Sequence, residues 1–285
     1  MSKIVLKFNC PDKKGIVHQV TKHLMDLEAN ILSSQQHLDK DENRFLMRIE
    51  FEFDEMKYSI DKIETVRNSL NLFLDTEVKL TFFSKKKRVA VLVSKYDHCL
   101  YDLILRKEYG ELHCEIPIIV SNHAHCKKVA DHFQIPFIHI PVEKNSKEKS
   151  EEKMIALLKE YQIDLIVMAR YMQILTPHIL NEYPMQIINV HHGFLPAFKG
   201  AKPYHQAYKK GVKIIGATSH FATEDLDMGP IIDQETLRVD HSHSIADMVS
   251  MGRDVEKKVL FRAVQAFVDD RIFLCGQKTV VLDRL

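Results

Sequence analysis

Four short, almost uninterrupted apolar segments follow one another in the second part of this 285-residue chain. Charged stretches typical of helices separate them, and the segments are VAVLV (89–93), EIPIIVS (115–121), FIHIPV (137–142) and DLIVMAR (164–170). Strands that are apolar on both faces must be covered on both faces, which is typical of a parallel sheet between two layers of helices. The pattern predicts an α/β domain with a doubly wound, mostly parallel sheet, whose function lies at the carboxyl ends of its strands.

The first 84 residues follow a different pattern. Apolar and polar side chains alternate around residues 4–8 and again along 45–53, and apolar residues recur at helical spacing between 16 and 27. A second helical pattern covers residues 60–70, with further strands expected from Ile31 and around 78–82. The order βαββαβ is the ferredoxin-like arrangement.

A basic stretch, residues 85–88, separates these two patterns and is predicted to be a linker. The sequence therefore predicts a first domain over residues 1–84 and a second over 89–285. Within the first domain, Asp12 stands before a helical pattern and is expected to be its N-cap.

Composition excludes several classes of function. The formal net charge is +1, so no global field attracts nucleic acid or an anionic membrane. The N-terminus lacks the continuous apolar core of a signal peptide, and no apolar run reaches the roughly 18 residues of a membrane span. Five scattered cysteines without a CxxC pair indicate reduced thiols. We expect a cytoplasmic protein that binds neither nucleic acid nor membrane.

The most informative segment, IINVHHGFLP (187–196), reads as a strand that ends in a loop. Side chains alternate along a strand, so Asn189 and His191 lie on the same face. An amide can donate to a developing oxyanion and an imidazole can transfer a proton, so the pair suits acyl chemistry. Further along, an acidic loop carries Glu224, Asp225 and Asp227, and mutual repulsion of carboxylates would make one of them a stronger base.

Residue types and spacing alone leave structural alternatives open. A histidine in a chain with 16 of them serves packing or solvation as readily as catalysis, and an acidic loop can be no more than a solvated turn. The pairs His191–His192 and His241–His243 contain two imidazoles each, but no third ligand stands at a recognisable zinc spacing. We expect no metal site.

Several sequence motifs occur in the same order as in a known protein family. NVHHGFLPAFKGAKPYHQAY (189–208) and GATSHFATEDLDMGPI (216–231) resemble the folate-dependent formyltransferase family, whose core is an Asn-x-His strand end with a distant Asp before Gly-Pro. CPDKKGIV (10–17), ARYMQILTP (169–177) and GRDVEKKVL (252–260) extend the resemblance over both domains and nearly the whole chain.

The resemblance implies an enzyme that acts on 10-formyltetrahydrofolate and needs no bound cofactor, because the folate is the substrate. Asn189, His191 and Asp227 match the family's catalytic residues. Two segments are expected to bind the folate, the first through backbone contacts with the pterin: Met172, Gln173, Ile174 and Leu175, and Ala222, Thr223, Glu224 and Asp225. Hydrolysis would release formate for purine synthesis and regenerate tetrahydrofolate, which balances the one-carbon pool.

The main alternative to hydrolysis is transfer of the formyl group to an acceptor other than water. Relatives with a phosphorylated amine acceptor contact the phosphate with a glycine-rich loop after the first strand of the domain. The corresponding segment here, SKYDHCLYDL (94–103), has no glycine, and Asp97 and Asp102 would repel a phosphate. Water is the expected acceptor, and transfer to a small amine remains open. A binding protein without activity would have lost the catalytic set, which is present.

For the first domain, the resemblance implies an ACT domain, a regulatory fold that binds amino acids between subunits. The chain would then be a homo-oligomer, a dimer or a tetramer, with an amino-acid effector. The expected effector site comprises Asn9, Asp12, Gly15, Ile16, Asn30 and Ile31. A domain that serves only dimerisation is the alternative.

Two residues depart from the family pattern. Gly193 stands where a small hydroxyl residue is usual, so a role for that hydroxyl is in doubt. Glu28 stands where a glycine usually closes the first helix. We therefore expect the C-terminal cap of that helix to be altered.

Overall fold

The computed structural model describes residues 2–54, 60–142, 147–197, 200 and 202–283. The chain divides into two compact units, Met1–Lys86 together with Asp269–Leu285, and Lys87–Val268. The division falls inside the predicted linker, but Lys87 and Arg88 already belong to the first strand of the second unit. The predicted end of the second domain at residue 285 is wrong, since the last segment belongs to the first unit.

The first unit has the predicted order of elements and an antiparallel sheet with strand order β2-β3-β1-β4. Its elements are β1 (Ser2–Pro11), α1 (Ile16–Asp26), β2 (Asn30–Asp39), β3 (Arg44–Phe53), α2 (Ile60–Leu74) and β4 (Lys79–Phe82). One face of the sheet forms a core with α1 and α2, in which Leu6, Met47 and Leu24 are almost fully buried. The alternation of apolar residues along β1 and β3 follows from this one-sided burial.

The second unit contains a seven-stranded sheet with the order β11-β10-β9-β8-β5-β6-β7. Its elements are β5 (Lys87–Val93), α3 (His98–Glu108), β6 (Cys114–Ser121), α4 (Lys127–His132), β7 (Phe137–His139), α5 (Lys147–Glu160), β8 (Leu165–Met168), α6 (Pro177–Glu182), β9 (Ile187–His191), α7 (Pro203–Lys210), β10 (Ile214–Phe221), β11 (Ile231–Arg238) and α8 (Ile245–Val268). Strands β5 to β9 are parallel, β10 runs antiparallel to β9, and β11 antiparallel to β10. The predicted mostly parallel sheet is confirmed. Among the described residues, no helix has the length and apolar character needed to cross a membrane.

A C-terminal hairpin, β12 (Ile272–Cys275) and β13 (Lys278–Val281), completes the first unit. Phe273 and Cys275 pack against Leu46, which lies on the face of β3 opposite to the helices. The Lys278 ammonium lies 2.9 Å from the Asp39 carboxylate, and Lys7 donates a hydrogen bond to the carbonyl of Ile272. The hairpin therefore buries apolar surface on the outer face of the sheet, which is why it groups with the first unit and not with the second.

The predicted N-cap of α1 is wrong. The helix begins at Ile16, and its N-cap is Gly15, with a φ of 88° and no capping hydrogen bond from a side chain. A capping side chain bonds to an N–H two or three residues further on, so Asp12 is too early in the chain to reach the first turn. Glycine takes this left-handed conformation without the steric cost that other residues incur.

The C-terminus of α1 keeps the geometry of a Schellman motif, so the expected alteration of this cap is wrong. The N–H of Ala29 donates to the carbonyl of Leu24 at 3.0 Å, and the N–H of Glu28 to the carbonyl of Met25 at 2.8 Å. Glu28 adopts a φ of 49°, the left-handed region in which a Cβ is sterically unfavourable. The cap is therefore preserved at the cost of backbone strain at Glu28.

We predict that Glu28→Gly raises the free energy of unfolding by about 1 kcal/mol, because glycine removes the clash of the Cβ at this left-handed position. Urea unfolding of the full chain measures the difference. Lys22→Gly, at an exposed position in the middle of the same helix, is the control and should lower stability by about 1 kcal/mol. Equal destabilisation by both substitutions would contradict the assignment of strain to Glu28.

Candidate active site

Strands β9 and β10 bring the first group of polar side chains together. In their antiparallel pairing Asn189 lies opposite His220, and His191 opposite Thr218. The Asn189 amide nitrogen lies 3.1 Å from Nε2 of His220. Asn189 and His191 are thus placed by the regular geometry of two paired strands, which holds side chains more precisely than a loop does.

His220 is a site residue that the sequence analysis missed. Its Nδ1 lies 2.9 Å from the carbonyl oxygen of Phe221, so Nδ1 is the donor nitrogen. Burial lowers the pKa of His220, which keeps the imidazole neutral and leaves Nε2 as an acceptor for an Asn189 N–H. This contact sets the orientation of the Asn189 amide, whose second N–H remains for another acceptor. The only signal in the sequence was its position opposite Asn189, which requires the strand pairing to be known.

Asp227 reaches the two histidines from the loop between β10 and β11. One of its oxygens, Oδ2, lies 3.3 Å from Nδ1 of His191 and accepts a hydrogen bond from the Gly200 N–H at 3.3 Å. The other oxygen, Oδ1, lies 3.8 Å from Nε2 of His220. Asp227 has a φ of 57°, and such strained conformations are concentrated at functional sites. The three predicted catalytic side chains therefore meet in one place, with His220 as a fourth member.

The pKa of Asp227 shifts in the opposite direction from the one expected. Repulsion among neighbouring carboxylates would raise this pKa and make Asp227 a stronger base. Burial raises the pKa of Asp227, but the hydrogen bond and charge of His191 and the N–H of Gly200 outweigh burial and lower it overall. Glu224 and Asp225 are exposed, whereas Asp227 is 8% exposed. Neither Glu224 nor Asp225 is among the main causes of the shift, and Asp227 carries its charge at neutral pH because His191 and the Gly200 N–H stabilise its carboxylate.

Two glycines allow close approaches around these groups. A Cβ at Gly193 would lie 2.8 Å from Nε2 of His191, so a side chain there requires the imidazole to shift. A Cβ at Gly229 would lie 1.8 Å from the carbonyl oxygen of Phe221, which fixes glycine at the base of the Asp227 loop. Gly193, the residue that departs from the family pattern, thus lies directly against the imidazole of His191.

A pocket opens beside Asn189, His220 and Asp227. Its other lining residues are Met168, Gln173, Ile174, Leu175, Leu180, Ala222, Thr223 and Leu226. Five of the eight residues expected to bind the folate therefore line it. Met172 lines a neighbouring pocket instead, and Glu224 and Asp225 do not line this one. Met168, Leu180 and Leu226 are lining residues that the motifs did not indicate.

The segment 172–175, which forms one wall of this pocket, is anchored at both ends. The Met172 N–H donates to the hydroxyl of Ser94 at 2.9 Å. The Thr176 N–H donates to a carboxylate oxygen of Glu151 at 3.0 Å, and the Thr176 hydroxyl donates to the other oxygen. Because β8 ends at Met168, these anchors fix an irregular backbone at the carboxyl edge of the sheet, where the fold predicts a binding site.

The segment predicted as a glycine-free loop over 94–103 is shorter than expected. Helix α3 begins at His98, so only residues 94–97 form the loop. Asp102 lies on the helix and binds Arg106 at 2.9 Å. Asp97 is the N-cap residue of α3 and keeps its acidic side chain at the start of the helix.

One group of side chains in the described part of the chain has the composition of a metal site, namely His98, Cys99 and Glu256. Both Glu256 oxygens are already engaged, by Nε2 of His98 at 2.8 Å and by the Tyr204 hydroxyl at 3.0 Å. The Arg170 guanidinium also lies 3.5 Å from Glu256, a position that disfavours a second cation. Burial raises the pKa of Cys99 well above its usual value, which disfavours the thiolate that a metal requires. The absence of a metal stays a prediction.

Comparisons with known proteins agree with this geometry. Residues 87–264 match the protein family described as formyl transferase. Over 97% of each chain, the sequence is 45% identical to a formyltetrahydrofolate deformylase of Synechocystis sp.. A crystal structure of a formyltetrahydrofolate deformylase from Pseudomonas syringae pv. tomato superimposes with a TM-score of 0.96 at 41% identity, covering 99% of this chain and 95% of that one.

A glycinamide ribonucleotide transformylase from Symbiobacterium toebii superimposes less extensively, with a TM-score of 0.68 and 26% identity over 72% of this chain and 98% of that one. The similarity to the deformylases thus includes both units, whereas the transformylase matches a smaller part of the chain. This chain belongs to the formyl transferase family, and its full-length relatives named here are formyltetrahydrofolate deformylases.

Proposed function

We propose that the protein hydrolyses 10-formyltetrahydrofolate to formate and tetrahydrofolate, with Asn189, His191 and Asp227 as its catalytic residues. The observation that carries this proposal is the buried, charged Asp227 carboxylate beside His191, at the edge of the pocket that Asn189 also lines. Full-length similarity to deformylases supports the same reaction. The reaction needs no bound cofactor, and its formate would serve purine synthesis and the balance of the one-carbon pool.

The arrangement assigns a role to each group. Asp227, together with His191, orients a water molecule and accepts its proton as the water oxygen attacks the formyl carbon. The N–H of Asn189 that does not bind His220, and the protonated His191, stabilise the oxyanion of the tetrahedral intermediate. Each such donor contributes roughly 3 to 4 kcal/mol to lowering the barrier. The bond from carbon to N10 then breaks as N10 takes a proton from His191. The formic acid formed in this way returns its carboxyl proton to His191, Asp227 gives the water proton to solvent, and formate leaves.

For the folate itself we propose the two segments 172–175 and 222–225. The support is the pocket lined by Gln173, Ile174, Leu175, Ala222 and Thr223. Anchoring of segment 172–175 by Ser94 and Glu151 presents a fixed backbone to a planar heterocycle. Because backbone groups make these contacts, side-chain substitutions at the catalytic positions should leave substrate binding nearly unchanged.

Water is favoured over an amine as the acceptor. The loop 94–97 contains no glycine, so its backbone cannot approach a phosphate as a glycine-rich loop does, and Asp97 places a negative charge at the start of α3. We also propose that the enzyme works in the cytoplasm, which its five buried cysteines support because all of them are reduced thiols.

We predict that the purified chain alone releases formate from 10-formyltetrahydrofolate, since water requires no acceptor pocket. Adding glycinamide ribonucleotide should neither accelerate loss of the substrate nor yield a formylated product. Formate is measured by a coupled dehydrogenase assay, and the nucleotide product by mass spectrometry. Stoichiometric formylation of the nucleotide would replace the hydrolase assignment with a transferase.

We predict that Asp227→Asn lowers kcat at least about a hundredfold, because the substitution keeps the shape but removes the charge and the proton acceptor. KM should change little. Asp225→Asn is the control, since Asp225 lies in the same loop but is exposed, and it should cost far less. If both substitutions were equally mild in formate release, Asp227 would not be the base and His191 alone would have to act.

We further propose that the first unit is an ACT domain of a homo-oligomer, dimer or tetramer, with an effector site formed by Asn9, Asp12, Gly15, Ile16, Asn30 and Ile31. The βαββαβ order and the sheet order β2-β3-β1-β4 support the fold. Gly15 starts α1 without a side-chain cap, so the N-terminus of this helix suits a carboxylate. The Asn9 amide oxygen accepts a bond from Arg44 at 2.7 Å, which brings a guanidinium beside this site.

We predict that a small amino acid, glycine or methionine, binds the full chain and changes the rate of formate release, because both exchange with the one-carbon pool. Isothermal titration calorimetry measures the binding. The full chain is required because residues 1–84 lack the hairpin that covers the sheet of this unit. Neither heat nor a change in rate with any proteinogenic amino acid would leave dimerisation as the role of the domain.

A further inference from the structure

A second pocket of about 280 Å³ lies next to the site in the same unit and has no role in the proposed hydrolysis. Its lining includes Arg170, His192, Lys202, Tyr204, Arg253 and Glu256. The charged members of the lining are three cations and one carboxylate. The pocket therefore has the electrostatic character of a site for a small anion.

Arg170 is the most informative of these residues. The side chain is 9% exposed, yet its Nε and Nη1 have no hydrogen-bond acceptor among the described residues. Buried donors without acceptors are rare, and each costs folding free energy unless a ligand or ion accepts its bond. The backbone at Arg170 also adopts a φ of 64°, which a non-glycine residue takes only at a steric cost.

Glu256 balances the charge of Arg170 but accepts no hydrogen bond from it. Its Oε2 lies 3.5 Å from Nη1 of Arg170, an ion-pair distance without hydrogen-bond geometry, while His98 and Tyr204 bind its two oxygens. Burial raises the pKa of Glu256, but the His98 hydrogen bond and the charge of Arg170 outweigh it and lower the pKa overall. Glu256 thus stays charged and holds the guanidinium in the pocket, while the donors of Arg170 remain for a planar oxyanion.

The location of this pocket connects it to the reaction. His192, which lines it, follows His191 directly, and the two rings have centroids 5.5 Å apart. Met172 lines this pocket and Gln173 lines the pocket beside Asp227, so a single stretch of backbone separates the two. A small molecule formed at His191 therefore has a cationic pocket next to it.

We propose that Arg170 and the pocket around it bind the carboxylate product, formate, after the carbon–nitrogen bond has broken. This inference rests on the proposed hydrolysis. A water molecule occupies roughly 30 Å³ of liquid, so the pocket has ample room for an anion of three heavy atoms. The guanidinium pairs with a carboxylate through two parallel N–H bonds, which matches formate better than a spherical anion.

Formate binding is measured with ¹³C-formate by NMR line broadening on the folate-free, full-length chain. An anion of three heavy atoms binds no more tightly than about 1 mM, so the titration extends well above that concentration. Glu256→Gln should tighten binding because it removes the carboxylate next to the guanidinium. The double variant Arg170→Met/Glu256→Gln, which leaves no uncompensated buried charge, should weaken binding at least about tenfold relative to Glu256→Gln alone.

Arg170→Lys should give intermediate affinity, because it keeps the charge and loses the planar fork. Arg238→Met, which removes an exposed arginine that lines neither pocket, is the matched control and should bind as the parent chain does. Equal formate affinity in all variants would assign Arg170 a purely structural role and overturn the proposal. Stronger competition by inorganic phosphate than by unlabelled formate would also overturn it, since the pocket would then be a phosphate site.

Formate release from 10-formyltetrahydrofolate separates the two proposals. A chain that releases formate, but whose formate binding does not depend on Arg170, keeps the hydrolase assignment and loses the product site. A chain that binds formate through Arg170, but releases none from the substrate, loses the hydrolase assignment and with it the product role.

Discussion

The pairing of β9 with β10 is the constraint on which the chemistry of this protein depends. Strand β9 ends at the carboxyl edge of a parallel sheet, and β10 runs back alongside it, so His220 stands opposite Asn189. The neutral His220 orients the amide, and the loop that follows β10 must return to place Asp227 beside His191. Gly229 makes this return possible because its backbone touches the carbonyl of Phe221. A change of strand direction, which a purely parallel sheet does not have, thus brings four polar side chains to one point.

The elements of the fold could be predicted because their hydrophobic patterns are strong. The continuous apolar strands of the second unit and the alternating ones of the first differ for a physical reason: the former are covered on both faces, the latter mainly on one. The placement of the C-terminal hairpin could not be predicted. Its strands have four residues each, and nothing in them reveals that Phe273 and Cys275 pack on Leu46, a long-range contact. The geometry of the helix caps at Gly15 and Glu28 was predicted wrongly, because it depends on backbone dihedral angles that the residue type does not fix.

Part of the candidate site could be predicted from the sequence. Asn189 and His191 share a strand, so alternation alone places them on one face, and the motif adds Asp227. His220 could not be identified without the register of β9 and β10, because it lies in a buried strand where the sequence does not distinguish it from a core residue. The ionisation of Asp227 depends on its neighbours in space and not on the adjacent Glu224 and Asp225, so local sequence indicated the wrong direction of its pKa shift. Arg170 is likewise unremarkable in sequence, and only its burial without acceptors distinguishes it.

The division of the first unit into two segments of chain has a consequence for biosynthesis. Residues 1–86 leave the ribosome first, but the hairpin that covers the outer face of their sheet follows only after the whole second unit has been made. During elongation, Leu46 and its neighbours on that face are open to water or to other chains, a state that invites association with a chaperone or with a second nascent copy. The second unit, by contrast, is one continuous segment and can fold before the first unit is closed.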